Sequence, residues 1–372
     1  MSLQKLEASL VFDLNGDQHC ISAVEMLLKE VPYEKMGFMG RFIFQKLLKS
    51  SLYRRKQYLR FKKTNINRLQ LIQVEKPIFI TGLPRSGTTL LQNLLIKYFK
   101  IEGIPFWEII QPIPKLKHQL ADKTLRKIRA YFLLTISKIF GPKIDLMHPM
   151  TLNSYEECWH LFLITFHVYN FDLQMGISNY GRWISEHSIS KAYEEYAEIL
   201  QIIVSLRKNH RLILKCPEHM LFTDSIDQTF SESKIIWIHR DPVKSIASYT
   251  NMIYEIRKFY FGHANKRDVA EFVSHRFYQM IEKITYAREK LSINIIDVQY
   301  KDLITNQKNT IQYLAERCRV DISILPDLIG NQNVRQLKSK VIYNSTKQEI
   351  DPDHVHRQFG DYMDRFQILK EV

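Results

Sequence analysis

Apolar positions along the chain fall into two textures. Between residues 21 and 63 they recur three and four apart, through ISAVEMLLKEV and again through MGRFIFQKLLKSSLYRRKQYLRF. That spacing is one face of a helix. From residue 76 short apolar runs appear: PIFITG, then RLILK (211–215), KIIWIH (234–239) and INIIDVQ (293–299). Their length and β-branched content predict strands. Longer helical patterns separate them, including 190–207 and 267–290. Strands alternating with helices predict an α/β fold with a parallel sheet covered on both faces. No repeat and no Pro/Gly/Ser-rich linker breaks the pattern. The expected organisation is a helical N-terminal extension over 1–70, packed on a core domain over 71–372.

Two other apolar stretches, RAYFLLTISKIF (129–140) and HLFLITFHVYNF (160–171), are about half the length needed to cross a bilayer. Both are expected to be core helices, and no transmembrane segment is expected. The N-terminus lacks a basic start followed by an apolar core, so the expected location is cytoplasmic.

Composition adds a bias. The 372 residues include 53 Lys and Arg against 39 Asp and Glu, a formal net charge of +14. Such an excess favours anionic partners. Part of it is a cluster of Arg54, Arg55, Lys56, Arg60, Lys62 and Lys63. No aromatic or glycine pattern of a nucleic-acid module accompanies it, so a solvated helix face is expected and nucleic acid is not. A basic module binding a membrane through this cluster is a competing reading. Cys20, Cys158, Cys216 and Cys318 show no paired spacing, which suggests neither a disulfide framework nor a zinc site.

The chemistry is signalled by TGLPRSGTT (81–89), between a predicted strand and a predicted helix. Backbone N–H groups and the helix N-terminus at such a joint favour an anion. Gly82 and Gly87 permit the tight turn, Arg85 supplies a fork of donors, and Ser86, Thr88 and Thr89 add hydroxyls. Position 88 is Thr where an ATP- or GTP-binding loop carries Lys, a poor fit to phosphoryl transfer with magnesium. A P-loop kinase or NTP-binding protein is the alternative, with Asp297 its one candidate metal-binding acid. A second element is KIIWIHRDPVKSIASYTNM (234–252). Asp241 and Pro242 mark a helix start, and Arg240 and Ser248 flank it.

Together these motifs resemble those of sulfotransferases that use 3′-phosphoadenosine 5′-phosphosulfate (PAPS), closest in flavour to tyrosylprotein enzymes and bacterial carbohydrate or small-molecule enzymes. The resemblance implies a P-loop NTPase-like three-layer sandwich with a central parallel sheet. It implies that Arg85, Ser86, Gly87, Thr88 and Thr89 hold the 5′-phosphosulfate and that Arg240 and Ser248 hold the 3′-phosphate. Tyr300 would contact the adenosine, and basic residues among Arg335, Lys338 and Lys340 would close over the 3′-phosphate. The co-substrate would be PAPS, with no metal, and the partner a hydroxyl-bearing acceptor. The expected base is Glu108, 23 residues beyond Arg85, with His219 as runner-up. Lys215 is the expected cation at the leaving oxygen. His148 and Glu157 are expected to line the acceptor pocket, with at most one of the adjacent Glu156 and Glu157 facing inward. The acceptor and the oligomeric state are not legible.

Overall fold

Four parallel strands form the sheet of the protein in a computed structural model, which describes residues 17–187, 189–290, 293–322 and 349–371. They are β1 (Ile78–Gly82), β2 (Ile213–Lys215), β3 (Lys234–His239) and β4 (Ile295–Gln299), in the order β2-β1-β3-β4. All four coincide with the short apolar runs. The longer helices are α1 (Gln18–Glu30), α2 (Phe38–Leu69), α3 (Thr88–Phe99), α4 (Gln119–Phe140), α5 (Ser190–Val204), α6 (Pro242–Phe261), α7 (Lys266–Lys290) and α8 (Gln307–Cys318).

Alternation along the strands divides the core into two layers. Ile78 and Ile80 of β1, with Ile236 and Ile238 of β3, face Leu91 and Leu95 of α3 and Ile311 and Leu314 of α8. Phe79, Ile235 and Trp237 belong to the opposite, larger cluster, which also holds Val24 of α1, Phe44 and Leu48 of α2, Ile199 of α5, Ile253 of α6 and Phe277 of α7. The result is helix on sheet on helix. Going from β1 the chain moves to β2 on one side, whereas β3 leads to β4 on the other. The switch therefore lies between β1 and β3, where open α/β sheets leave a crevice beyond the carboxyl ends of their strands.

Three expectations change here. The segment 160–171 is core, but only Trp159–Phe162 and the start of Asn170–Met175 are helical, and turns join them. The segment 129–140 lies in α4, whose buried side chains are only Asp122, Arg126, Ala130 and Leu134; its other apolar residues are largely exposed. The basic cluster is no uniform solvated face. Arg54 and Arg55 are buried, and Arg55 makes charge-assisted bonds to Asp17 and Glu195 at 2.7–2.9 Å. Lys62 pairs with Glu198 at 2.7 Å. Arg60 and Lys63 of the same cluster are exposed.

Candidate active site

The loop after β1 is shaped by its two glycines. Gly82 has φ +146° and Gly87 φ +99°, and a Cβ would lie 2.7 Å from the Ile238 carbonyl oxygen at the first and 2.7 Å from the Tyr300 ring at the second. Any larger residue would be strained and would clash. Arg85 itself sits at φ +71°. A non-glycine residue held in that region costs about 1–3 kcal/mol, and such strain gathers at functional sites. The surrounding bonds over-determine it. Arg240 Nη1 donates to the Arg85 carbonyl at 2.9 Å, and Arg85 Nε donates to Ser248 Oγ at 3.0 Å.

The second element emerges from β3, beside the loop, because Gly82 and Ile238 are partners in the parallel register. Asp241 caps α6, accepting from Val243 N at 2.9 Å, with Pro242 in the first turn. Arg240 lies over the Tyr300 ring, 4.0 Å from its centroid, and makes a two-pronged bond to the Glu371 carboxylate at 2.8 Å. Arg85, Thr88, Thr89, Arg240, Ser248 and Tyr300 thus share one cavity of about 1580 Å³. Ordinary ligand pockets span roughly 300–1,000 Å³, so there is room for two sizeable molecules.

The third side of the site comes from β2. Ile80 and Lys215 are register partners, and Cys158 N donates to the Lys215 carbonyl at 3.0 Å. These bonds bring the loop, Lys215 and residue 157 together. Lys215 is buried, with Nζ 3.2 Å from Thr89 Oγ1 and 3.5 Å from Glu157 Oε1.

Residues 77–323 match the model of the sulfotransferase family. The chain belongs to that family. Sulfotransferase STF1 from Mycobacterium tuberculosis H37Rv superimposes with a TM-score of 0.82 at 21% identity, over 97% of this chain and 99% of that one. Sulfotransferase STF9 from Mycobacterium avium gives a TM-score of 0.73 at 19% identity, over 90% and 88%. These likenesses carry the fold. No curated protein matches the chain significantly.

Within this sulfotransferase fold, several residues singled out from sequence stand elsewhere. Phe106 and Ile110 line the cavity, but the Glu108 carboxylate between them turns into the protein. It bonds Arg207 closely and pairs with Arg126 at 4.0 Å. That is a structural ion-pair network, and it takes Glu108 away from the loop. His219 is fully buried, wrapped by Phe79, Phe162, Tyr193 and Tyr196, with the Tyr193 hydroxyl 2.8 Å from Nδ1. Burial pushes its pKa down to about 3, so it stays neutral. Ser86 is buried, and its Oγ has no hydrogen-bond partner among the described residues. Lys338, Lys340 and Arg335 lie outside the described residues.

His148 and Glu157 do line the cavity, and so does Glu156. The expectation that one of the two carboxylates must face away assumed a helix. Residues 156–157 precede the helical turn and follow a bridge between Tyr155 and Pro105, so the helical rule does not apply. Glu156 accepts from Ser154 Oγ at 2.9 Å and lies 3.1 Å from His148 Nε2. Burial opposes its ionisation, but the His148 bond and charge, with Lys215 nearby, bring its pKa down to about 2.

Among the cavity residues that sequence reasoning missed are Lys244, Glu371 and Glu218. Lys244 stands one helical turn before Ser248 on α6, and that spacing could have revealed it. Glu371 meets Arg240 from the far end of the chain, and no local pattern signals it. Glu218 was passed over for its neighbour His219. It is buried and accepts from Tyr169 N at 3.2 Å and Asn170 N at 2.7 Å. Burial, helped by the nearby Glu157 charge and opposed by those N–H groups, raises its pKa from 4.5 to about 8.

The Glu218 shift has a measurable sign. Between pH 4.5 and about 8 the folded state keeps a proton that the unfolded chain releases, so stability falls as pH rises through that window. The Glu218→Gln variant is expected to lose this component. Its melting temperature should decline less than that of the wild type across the window; equal slopes would place the Glu218 pKa near its ordinary value.

Proposed function

We propose that the protein transfers a sulfuryl group from PAPS to a hydroxyl. The convergence of Arg85, Ser248, Arg240 and Lys215 at the carboxyl ends of adjacent strands carries this reading. The loop amides and Arg85 suit the 5′-phosphosulfate. Arg240, Ser248 and Lys244 suit the 3′-phosphate, in which case the Glu371 carboxylate stands where phosphate oxygens would go and must yield to them. Tyr300, braced beneath Arg240, borders the nucleoside.

In the reaction the acceptor oxygen attacks sulfur, the sulfur bond to the bridging oxygen breaks, and 3′,5′-adenosine bisphosphate leaves. Glu157 is the proposed base, in place of Glu108, because it lines the cavity beside the loop. Lys215 is the proposed cation for the negative charge growing on the bridging oxygen. The hydroxyl proton passes to Glu157 and then to solvent.

Thermal stabilisation tests the reading, since a ligand of the native state must raise its melting temperature. The bisphosphate with EDTA present is expected to do so, and ATP with magnesium to do less. A clear shift with ATP–magnesium and none with the bisphosphate would support the kinase alternative. The position of Asp297 favours the first outcome: its carboxylate is already held by Arg288 at 2.6 and 2.7 Å and by His239 at 2.9 Å.

Arg240→Ala should weaken the bisphosphate at least tenfold by calorimetry, since charge-assisted bonds contribute about 1.5–3 kcal/mol each. Glu371→Gln should tighten it, because the guanidinium would lose its competing carboxylate. Unchanged affinity in both variants would move the 3′-phosphate elsewhere.

A further inference from the structure

Helix α4 shows an outer face with no partner among the described residues. Ile128, Tyr131, Phe132, Thr135 and Ile139 follow the i, i+3, i+4, i+7, i+11 spacing of one helix face. Ile128, Tyr131, Phe132 and Ile139 are 48–65% exposed. Leu120 on the same helix and Leu146 just beyond it are as open, at 69% and 70%. A contiguous apolar stripe of this kind marks an interaction surface.

Two observations identify what it meets. The first is charge. From Lys115 to Asp145 the chain carries eight basic residues and two acidic ones. Asp122 is buried against Arg126 at 2.8 Å, and Asp145 faces Lys138 at 3.8 Å. By helical geometry Lys127, whose Nζ lies 5.7 Å from the Trp107 ring centroid, and Lys138, beside Asp145, border the apolar stripe on one side, and Arg129 borders it on the other. Long basic side chains flanking an apolar face can extend their charges to the headgroups of a lipid surface while their stems stay apolar.

The second observation is continuity with the cavity. Leu133, Ile136 and Phe140, on the flank of the same helix, line it together with Phe42 of α2, and all four are 40–44% exposed. The wall that begins at Arg85 and Lys215 therefore ends in apolar side chains beside the exposed stripe. Among the described residues no helix is long and apolar enough to cross a membrane.

We propose that α4 seats on an anionic membrane surface, and that the acceptor is a hydroxyl-bearing amphiphile that enters the cavity from that membrane with its apolar body along Leu133, Ile136 and Phe140. The acceptor half rests on the sulfuryl-transfer reading above; the docking half does not. The attraction has the form of an interfacial helix: apolar area inserted at the headgroup boundary, with basic residues drawn to anionic lipid.

Flotation with vesicles tests the docking. The wild type is expected to float with phosphatidylcholine–phosphatidylglycerol vesicles, less with phosphatidylcholine alone, and less in high salt, which screens the charges. The double variant F132E/I139E changes two residues that do not line the cavity. It should float at least tenfold less, with the melting temperature and the bisphosphate response unchanged. A dansylated long-chain alcohol tests the acceptor half. It should bind saturably to the wild type and not to L133R/I136R. No flotation of the wild type, or equal flotation of the double variant, overturns the docking. So does a wild-type dimer that F132E/I139E makes monomeric, since a second copy would then cover the face. Absence of saturable alcohol binding overturns the acceptor class. In each case a retained bisphosphate response leaves the sulfotransferase reading standing, and its loss fails that reading instead.

Discussion

Replacing Lys215 by Met is expected to lower turnover about 10²–10³-fold, the usual cost of removing one preorganised group that stabilises developing charge. Met keeps the length of the buried stem, so the packing at the end of β2 should survive. The variant loses the ammonium that stands 3.2 Å from Thr89 Oγ1. Charge on the bridging oxygen grows only as the sulfur bond breaks, so the loss should fall mainly on kcat and little on bisphosphate affinity. Single-turnover rates with labelled donor, set against calorimetric affinity, make the comparison. A variant with normal chemistry and weakened binding would reassign Lys215 to ground-state recognition.

The second large effect separates two carboxylates. Glu157→Gln should cost about 10²–10⁴-fold in turnover, the usual contribution of a positioned base, with the fold intact. Its side chain is 27% exposed and its pair with buried Lys215 is long, at 3.5 Å, so the cost in stability should be smaller than at Glu108. Glu108→Ala should do the reverse. It removes one of two carboxylates from each of Arg207 and Arg126, which are 10% and 3% exposed and keep Glu102 at 3.0 Å and Asp122 at 2.8 Å. Breaking a buried ion pair outright costs about 3–5 kcal/mol, and the remaining carboxylates should keep the loss below that. The expected signature is a melting temperature several degrees lower, with activity retained in the molecules that stay folded. Turnover lost in Glu108→Ala at full stability, with Glu157→Gln active, would return the base to Glu108.

Legibility of the sequence followed how far each signal reaches along the chain. The four strands were visible because a buried parallel strand is a continuous apolar run, and the joints at Gly82–Thr89 and Arg240–Ser248 because phosphate loops and helix starts are local grammar. Lys215 could be placed because it ends a strand. Glu108 could not, because an offset counted from Arg85 says nothing about which way a side chain turns after two intervening bends. The burial of His219 and Ser86 was illegible for a related reason: hydroxyls and imidazoles are equally at home in a cleft and in a core, and only packing decides. The Arg240–Glu371 bond joins residues 131 apart in sequence, beyond the range of any pattern. The apolar run in α4 was misassigned because hydrophobicity alone does not tell a buried face from an exposed one.

The nesting of Gly87, Tyr300, Arg240 and Arg85 makes the site a gauge of length. Gly87 leaves space for the Tyr300 ring, the ring braces Arg240, and Arg240 ties back to the Arg85 carbonyl at 2.9 Å. The two proposed anion sites therefore cannot drift apart independently. A ligand with an anionic group at both ends engages the second site at the high effective concentration set by the first, provided its own span matches. A donor lacking either terminal charge, or of another length, forfeits that gain however well its remaining end fits, so recognition depends on the distance between two charges as much as on either one.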